Sequence, residues 1–401
     1  MPPAERGTGH TMPARRGDPL VFVIAGEESG DHLGAALIEA IRARREGRVT
    51  FCGIGGRAMA AQGVTSPFPI DDLAIVGLGI VRKLPLILRR IQQAAGAVVS
   101  ARPDVLVIID SPDFTHRVAR RVRAAAPDIP IVNYVSPSVW AWRPWRARAM
   151  RRYIDHVLAL LPFEPAAHAE LGGPPCTFVG HPLSERIAML RPNAAEVERR
   201  LTDPPIILML PGSRRGEVRR MLPVFASAID ILNRQAGPLE IVLPTVPHLA
   251  EDIQRETRRW KLPARILVDA GEKQATFRTA RAALAKSGTV TLELALAGVP
   301  MVTGYKVSLV EEAVGRRMIR VPSVILANLV LGENVIPEFL QSDCNAAKLA
   351  DALAPLLRDG PERRRQVEAF ARLDAIMQIG TARPSDRAAE IVLELAARGR
   401  R

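Results

Sequence analysis

Short, continuous apolar runs alternate with longer stretches of helical periodicity along most of this chain. Residues 20–25, 105–110 and 129–135 are such runs in the first half. Strands that are apolar on both faces are typical of a parallel sheet covered by helices on each side. The pattern stops at a polar, proline-containing stretch, 191–205, and then resumes. The sequence therefore predicts an α/β fold with two similar parallel-sheet domains that meet at a cleft.

The domain boundaries follow from the same pattern, since 401 residues suffice for two domains. Residues 1–18 are polar, lack the apolar segment of a secretory signal, and are expected to be a disordered tail. The first domain is expected over 19–190, the second over 191–360, and C-terminal helices over 361–401. These helices either cross back to the first domain or are exchanged with a partner. The other predicted strands are 49–54, 156–161, 177–180, 206–210, 239–243, 264–268, 282–285 and 299–303.

The charge of the chain limits the class of partner. Lysine and arginine number 55 against 42 aspartate and glutamate residues, and the formal net charge is +13. A positive field favours anionic partners: nucleic acid, phosphorylated small molecules or an anionic membrane surface. The apolar runs are far shorter than the roughly 20 residues of a membrane-spanning helix. The three cysteines and seven histidines show no metal-ligand spacing, so we predict neither a metal site nor a disulfide framework.

A turn after the first predicted strand carries two adjacent carboxylates. It has the sequence AGEESGD over 25–31 and opens a predicted helix. Glu27 and Ser29 are candidate contacts for a sugar or an acceptor. The alternative is plain helix capping by Ser29 or Asp31.

A second turn, IDSPDF over 109–114, follows another predicted strand. Asp110 stands at the end of that strand, where a carboxylate faces the cleft and can take a proton from a hydroxyl group. Asp113 is at the start of the next helix. It is either a further acceptor contact or a helix cap.

Three of the four tryptophans lie within residues 140–145, among several arginines. Indole and guanidinium groups together suit a lipid headgroup or the face of a sugar, and burial of the indoles in the core is the alternative. Ser136 and Trp140 are the candidate acceptor contacts in this region.

The stretch 75–93 is strongly apolar with interspersed arginine and lysine. This pattern indicates a membrane-surface element, and a buried helix with a solvated basic face is the alternative. The candidate membrane contacts are Ile80, Arg82, Lys83, Leu86, Arg89 and Arg90.

Two loops of the second half have the composition of phosphate-binding turns. LPGSR over 210–214 lies between a predicted strand and a helix, where backbone N–H groups and a guanidinium meet an anion. SGTVTLE over 287–293 is a similar turn, with a carboxylate placed to accept ribose hydroxyls. A surface turn and an ordinary helix cap are the alternatives. The candidate nucleotide contacts are Gly212, Ser213, Arg214, Ser287, Gly288, Thr289 and Glu293.

These motifs, together with GIGG, YVSPSVWAWR, LPFE, GHP and EFLQ, resemble the lipid-A-disaccharide synthase family in the same order. The resemblance extends over about residues 20–380. It implies the GT-B fold of two facing Rossmann-like domains. It also implies transfer from UDP-2,3-diacylglucosamine to 2,3-diacylglucosamine 1-phosphate, a lipid X-type acceptor, giving lipid A disaccharide 1-phosphate and UDP.

The resemblance also assigns roles to single residues. Arg214 would meet a phosphate of UDP, Glu293 the ribose, and Asn328 would line the same pocket. Asp110 would be the base of an inverting displacement that uses no metal and no cofactor. The protein would be peripheral on the cytoplasmic face of the bacterial inner membrane, with an anionic membrane surface and no nucleic acid as partner. A homodimer is left open.

Two rival functions remain at this point. A UDP-N-acetylglucosamine 2-epimerase or another GT-B enzyme would share the second-half nucleotide site, but would leave the tryptophan cluster and the basic apolar stretch without a use. A non-catalytic membrane-surface or nucleic-acid-binding protein would account for the charge, but would have no use for Asp110.

Overall fold

The computed structural model describes residues 17–73, 80–308, 312, 321–378 and 382–399. Within them, the chain forms two six-stranded sheets, one in each half, and the neighbouring strands pair in parallel. The α/β prediction with two parallel-sheet domains is therefore confirmed. The predicted tail lies outside the described residues except for Gly17 and Asp18.

The first sheet has the strand order β2-β1-β3-β4-β5-β6. Its strands are β1 (Leu20–Ala25), β2 (Thr50–Ile54), β3 (Val105–Ile109), β4 (Ile131–Tyr134), β5 (His156–Ala159) and β6 (Cys176–Phe178). The helices of this half are α1 (Glu28–Arg44), α2 (Arg57–Ala61), α3 (Ile80–Ala101), α4 (Pro112–Ala125), α5 (Trp145–Met150), α6 (Glu164–Glu170) and α7 (Ile187–Leu190), with 3-10 turns at Ile70–Leu73 and Pro182–Arg186.

The second sheet has the strand order β12-β11-β10-β7-β8-β9. Its strands are β7 (Ile206–Leu210), β8 (Glu240–Pro244), β9 (Ala264–Leu267), β10 (Ala282–Lys286), β11 (Met301–Tyr305) and β12 (Glu338–Leu340). The helices that follow α7 are α8 (Ala194–Leu201), α9 (Arg215–Ala236), α10 (Pro247–Thr257), α11 (Ala270–Thr279), α12 (Val290–Leu296), α13 (Leu326–Leu331), α14 (Ala346–Leu353), α15 (Pro361–Met377) and α16 (Pro384–Gly399), with a 3-10 turn at Ala354–Leu357.

Both faces of each sheet are buried, which explains the continuous apolar runs. In β1, Phe22 and Ile24 pack with residues of α3 and α4. Val21 and Val23, on the other face, pack with residues of α1 and α16. Because side chains alternate across a strand, a strand covered on both sides has no polar face. β7 is divided in the same way between two clusters of the second half.

Each sheet contains a switch point, where the strands that follow in the chain are added first on one side of a central strand and then on the other. In the first sheet β1 lies between β2 and β3, and in the second β7 lies between β8 and β10. Loops after such strands diverge to opposite faces and leave a crevice at the carboxyl edge. The loops that carry Glu27 and Asp110 flank one crevice, and those that carry Gly212 and Ser287 flank the other.

The polar stretch between the halves is not an irregular linker. It contains α8, whose N-terminus is a capping box: Asn193 Oδ1 accepts from the amide of Glu196 at 3.0 Å, and the Glu196 carboxylate accepts from the amide of Asn193 at 2.9 Å. Reciprocal caps of this kind begin helices in polar sequence.

The two long C-terminal helices pack on different halves of the molecule. Phe370 and Leu373 of α15 are fully buried in a second-half cluster. Ala389 and Val392 of α16 are fully buried in the cluster that contains α1 and one face of the first sheet. The last helix therefore covers part of one face of the first sheet, beside α1.

Candidate active site at the carboxyl edges of the two sheets

Four strands of the second sheet, β7 to β10, end at one cavity of about 600 Å³. Leu210, Pro244 and Lys286, the last residues of β7, β8 and β10, line it. The cavity is therefore built at the switch point of the sheet. Seven of the predicted nucleotide contacts line it as well: Gly212, Ser213, Arg214, Ser287, Gly288, Thr289 and Glu293.

The loop between β7 and α9 folds back on the first turn of that helix. Gly212 has a φ of 124°, and a Cβ there would lie 2.6 Å from Oε2 of Glu217. The same Oε2 accepts a hydrogen bond from the amide of Ser213 at 3.2 Å. Only glycine allows both the left-handed backbone and the close approach of the carboxylate.

Glu217 also gathers cationic groups at the cavity. Its Oε1 lies 3.1 Å from Lys286 Nζ and 3.4 Å from Arg214 Nη1. Burial acts to raise the pKa of the Glu217 carboxyl, but Lys286, the Ser213 amide and Arg214 outweigh it, so the pKa lies below its usual value. Lys286 also stands 4.5 Å from the ring centroid of Tyr305. An ionised, 5% exposed carboxylate thus holds Lys286 and the phosphate-type loop in place.

A second ion pair stands on the cavity wall. Lys273 of α11 places its Nζ 3.0 Å from Oε2 of Glu293, in the first turn of α12. Thr245, after β8, also lines the cavity, and its buried hydroxyl has no partner among the described residues. Glu217, Lys273, Lys286 and Thr245 were not assigned from the sequence. Glu217 and Lys286 adjoin the two predicted loops, whereas Lys273 and Thr245 carry no motif.

Two predicted nucleotide contacts use their polar groups within the protein. The hydroxyl of Ser287 donates to the carbonyl of Val324 at 2.9 Å. Asn328 is 2% exposed and does not line the cavity. Its Oδ1 accepts from the amides of Val335 and Ile336, and its Nδ2 donates to the carbonyl of Ile336. The amide group of Asn328 thus fixes the turn before β12, and its contact with a nucleotide stays a prediction.

The first sheet brings Glu27 and Asp110 to one edge. Asp110 follows β3, and its Oδ1 accepts from the amide of Ser111 at 2.7 Å. The hydroxyl of Ser111 donates to Oε1 of Glu27, after β1, at 3.2 Å. A Cβ at Gly26 would lie 2.6 Å from the Cβ of Ser111, so the glycine allows the two loops to touch. Asp110, the predicted base, and Glu27, a predicted acceptor contact, are thus linked through Ser111.

The other polar residues of these two turns, Ser29, Asp31 and Asp113, differ in their contacts. Ser29 is exposed, and α1 begins after Glu27 without a side-chain cap. Asp31 is buried and accepts from the amides of Gly56, Ala58 and Met59 at 2.7 to 3.1 Å. Asp31 therefore fixes the start of α2 rather than capping its own helix. Asp113 is largely exposed and does not cap α4.

Ser136 and Trp140, predicted to contact the acceptor, both make contacts within the protein. Ser136 is 7% exposed, and its hydroxyl lies 2.8 Å from Nε2 of the fully buried His168. Trp140 donates its indole N–H to Glu164 Oε1 at 3.1 Å and packs edge-on against Phe163. Both rings also pack against the second-half core. One of the three clustered tryptophans, Trp140, thus serves the contact between the halves, whereas Trp142 and Trp145 are exposed.

Residues 80–93 of the basic apolar stretch form the first part of α3, and residues 75–79 lie outside the described residues. No described helix is long and apolar enough to cross a membrane. The side chains of Ile80, Arg82 and Lys83 lie outside the described residues. Arg89 is exposed and Leu86 half-buried. The guanidinium of Arg90 pairs with Asp72 at 2.6 Å and stacks on Phe68, and its membrane contact stays a prediction. The exposed apolar residues of this helix are Leu84 and Leu88, at 43% and 42% exposure.

Known structures share this two-domain architecture. UDP-GlcNAc 2-epimerase from Neisseria meningitidis, bound to UDP-GlcNAc, matches with a TM-score of 0.60 at 11% identity, covering 94% of this chain and 99% of that one. MurG from Acinetobacter baumannii matches with a TM-score of 0.56 at 17% identity, with the same coverage. At these identities the likeness is one of fold, and it confirms the GT-B architecture.

Sequence comparison separates this chain from those fold relatives. The family model described as lipid-A-disaccharide synthetase matches residues 21–392. Lipid-A-disaccharide synthase of Nitrobacter hamburgensis is 60% identical over 375 residues, or 93% of this chain and 95% of that protein. The synthase of Bradyrhizobium diazoefficiens is 57% identical over 382 residues, or 95% of this chain and 97% of that protein. The chain therefore belongs to the lipid-A-disaccharide synthetase family and is a glycosyltransferase of lipid A biosynthesis.

Proposed function

We propose that this enzyme transfers the sugar of UDP-2,3-diacylglucosamine to the 6-hydroxyl of 2,3-diacylglucosamine 1-phosphate, with one displacement that inverts the anomeric carbon. The observation that carries the proposal is the division of charge between the two sheets. A carboxylate edge built by Glu27 and Asp110 lies in one half. A cavity in which three cationic side chains outnumber the carboxylates of Glu217 and Glu293 lies in the other.

The cationic cavity suits the UDP part of the donor. Lys286, Lys273 and Arg214 line it, and the loop that begins at Gly212 places backbone amides beside them. A diphosphate that leaves with an extra negative charge is stabilised by preorganised cations and N–H groups. Glu293 lies on the same wall and is the group proposed to accept the ribose hydroxyls.

Asp110 is the proposed general base. Its carboxylate follows β3 at the switch point, where a hydroxyl group of an acceptor can approach from the cleft. Removal of the hydroxyl proton by a positioned carboxylate accelerates attack by roughly 10²- to 10⁴-fold. The oxygen then forms the new bond to the anomeric carbon while the bond to UDP breaks.

No metal or cofactor is part of the proposal. The positive charges that this leaving group requires are supplied by Lys286, Lys273 and Arg214. The prediction is that product forms at an unchanged rate in the presence of EDTA.

The proposal also places the enzyme on the anionic cytoplasmic face of the inner membrane. Leu84 and Leu88 are exposed on α3 beside the exposed Arg89. Leucine beside arginine on one helix suits the boundary between acyl chains and anionic headgroups. Both substrates carry acyl chains, so a bilayer contact would give access to them.

The test is a product assay with both acylated substrates and EDTA, read by mass spectrometry. A disaccharide 1-phosphate together with UDP is the expected result. UDP release without a disaccharide would contradict the proposed acceptor, and an intact donor would contradict the transferase reaction itself.

A further inference from the structure

A second cavity, of about 120 Å³, opens beside the start of α4. Its wall begins at Pro112, two positions after Asp110, and continues through α5 to Tyr153. The proposed donor site does not include it, because that site lies at the edge of the other sheet. The polar and charged residues that line it are Asp113, His116, Arg117, Arg120, Arg146 and Tyr153.

The floor of this cavity is a fixed polar network. His116 and Tyr153 are 7% and 5% exposed, and His116 Nδ1 lies 3.1 Å from the hydroxyl of Tyr153. Arg120 donates to the same hydroxyl at 3.2 Å, and its guanidinium carbon stands 4.8 Å from the tyrosine ring centroid. Arg120 is exposed, but these two contacts with Tyr153 hold its guanidinium at the cavity.

The potential in the cavity is positive. Among the described residues that line it, three guanidinium groups accompany one carboxylate. That carboxylate, on Asp113, is 3.5 Å from Arg146 Nη2, longer than the 2.7 to 2.9 Å of a charge-assisted hydrogen bond. Burial, together with the charges of Arg120 and Arg146, lowers the pKa of His116 to about 4. The histidine therefore stays neutral at physiological pH and leaves Asp113 facing three cations.

The position of the cavity relates it to the acceptor. In a parallel sheet, the helix after each strand starts at the carboxyl edge, so α4 starts beside Asp110. α3 also runs back to the next strand, β3, and packs against α4, so its exposed leucines lie towards the same edge. The base, the end of the basic cavity at Pro112 and Asp113, and the exposed leucines thus lie towards the same edge of the first sheet. An acylated sugar phosphate has the complementary groups: a hydroxyl, a phosphate and acyl chains.

We propose that the cavity of Arg117, Arg120 and Arg146 binds the phosphate monoester of the acceptor, and so selects a phosphorylated acceptor and orients its 6-hydroxyl towards Asp110. The inference rests on the proposed function, because it assigns a part of the acceptor site. The phosphate on carbon 1 and the carbon that bears the 6-hydroxyl are attached to the two ring carbons that flank the ring oxygen, so the sugar ring limits the distance between them. Anchoring the phosphate therefore restricts where the reacting hydroxyl can lie.

The test compares Arg117→Gln and Arg146→Gln with Arg121→Gln. Arg121 is an exposed arginine of the same helix that does not line the cavity, so its replacement makes the same change in net charge. Turnover is measured in neutral detergent with 2,3-diacylglucosamine 1-phosphate and, separately, with 2,3-diacylglucosamine. The same assays are repeated on vesicles that contain anionic lipid. UDP binding is measured for each variant as a check of the donor site and of folding.

Each cavity variant should raise the KM for the phosphorylated acceptor by about tenfold, since each removes one charged contact to phosphate. The phosphate-free acceptor should react equally with wild type and all variants, and Arg121→Gln should match wild type on both acceptors. The same loss on both acceptors, or no loss on either, would overturn the phosphate site while leaving the transferase reaction intact. A defect seen only with anionic vesicles would assign the arginines to lipid headgroups and also overturn the site. Absence of product from wild type would instead contradict the proposed function.

Discussion

Asp110 and Ser111 hold consecutive left-handed backbone conformations, with φ of 50° and 48°. This conformation costs roughly 1–2 kcal/mol for residues other than glycine, and such strain is common at functional sites. Local contacts hold it here. Thr115 Oγ1 donates to the carbonyl of Asp110 at 2.6 Å, and the Asp110 side chain accepts from the next amide. The carboxylate is therefore fixed relative to β3 before substrate arrives.

Gly212→Ala tests the phosphate loop at the scale of one methyl group. The new Cβ would lie 2.6 Å from Glu217 Oε2 at a φ of 124°. We expect at least about a tenfold loss of UDP affinity, since the loop and the buried carboxylate cannot both keep their places. Calorimetric titration with UDP measures it.

The matched control is Gly216→Ala, four positions along in the first turn of α9. The nearest atom to its Cβ would be Arg220 Nη1 at 3.7 Å, an ordinary contact. Equal UDP affinity in both variants would contradict the role given to the Gly212 turn.

His168 gives a pH dependence of stability. Burial lowers its pKa from 6.5 to about 4. A depressed pKa means that its contribution to stability is present above pH 6.5 and is lost as pH falls towards 4, up to about 3 kcal/mol in the free energy of unfolding. His168→Gln, which keeps a polar partner for Ser136, should flatten this part of the pH profile. Urea unfolding at pH 7 and pH 4.5 measures it.

Glu164 also contributes to the pH dependence of stability in this range, so the effect of His168 is measured as the difference between His168→Gln and wild type. Burial raises its pKa to about 7 despite hydrogen bonds from Leu161, Trp140 and Leu160. Its contribution therefore falls as pH rises between 4.5 and 7, opposite to that of His168. An unchanged slope in His168→Gln would show that His168 does not titrate in this range.

At the scale of elements, the sequence predicts every strand of the two sheets except β12, the last strand in the chain. The eleven strands β1 to β11 each coincide with a predicted apolar run, because burial on both faces leaves a strong signal. β12 has three residues, of which Glu338 is polar, and so carries no such signal. α8 was missed because its polar sequence carries a capping signature, Asn193 with Glu196, instead of an apolar stripe.

The site residues also fall into two groups: those that short sequence motifs predict and those that only the tertiary structure brings to the site. Gly212, Arg214 and Glu293 adjoin strand ends within short motifs, and the fold brings them to one cavity. Lys273 comes from a different helix, α11, and only the tertiary structure places it against Glu293. Motifs alone predict ligand contacts for Trp140 and Asn328, and only the tertiary structure shows that they also serve packing and turn geometry.

The exposed face of α3 gives a prediction for the membrane. Replacing Leu84 and Leu88 by Ser removes two exposed apolar side chains, at roughly 0.8 kcal/mol per buried CH₂. Partition into vesicles with anionic lipid should fall by at least about tenfold, while UDP binding stays the same. Vesicle co-sedimentation measures it.

Leu201→Ser is the control, because Leu201 is 63% exposed on α8 of the second half. An equal loss of partition in this variant would show that general surface hydrophobicity, and not α3, governs the membrane contact.

In the whole molecule, the contacts of the described residues that join the two halves include an aromatic contact and the C-terminal helix. Trp140 and Phe163 of the first half pack against the second-half core. α16 follows the second half in sequence and returns to pack on α1. The base and the cationic cavity therefore stand on separate sheets, whose relation depends in part on these contacts.

This separation means that catalysis and donor binding can be removed one at a time. Asp110→Asn is the sharpest change, because Asn keeps the size of the side chain and tolerates the left-handed backbone. Without a base, kcat should fall by about 10²- to 10⁴-fold. The UDP site lies on the other sheet and should be unaffected.

The most direct test of Asp110 as the general base is therefore a paired measurement on Asp110→Asn: disaccharide turnover and the Kd for UDP, each beside wild type. Turnover should collapse while the Kd stays unchanged. Turnover close to wild type would contradict the assignment of Asp110 as the base, and with it the mechanism built on the edge of the first sheet.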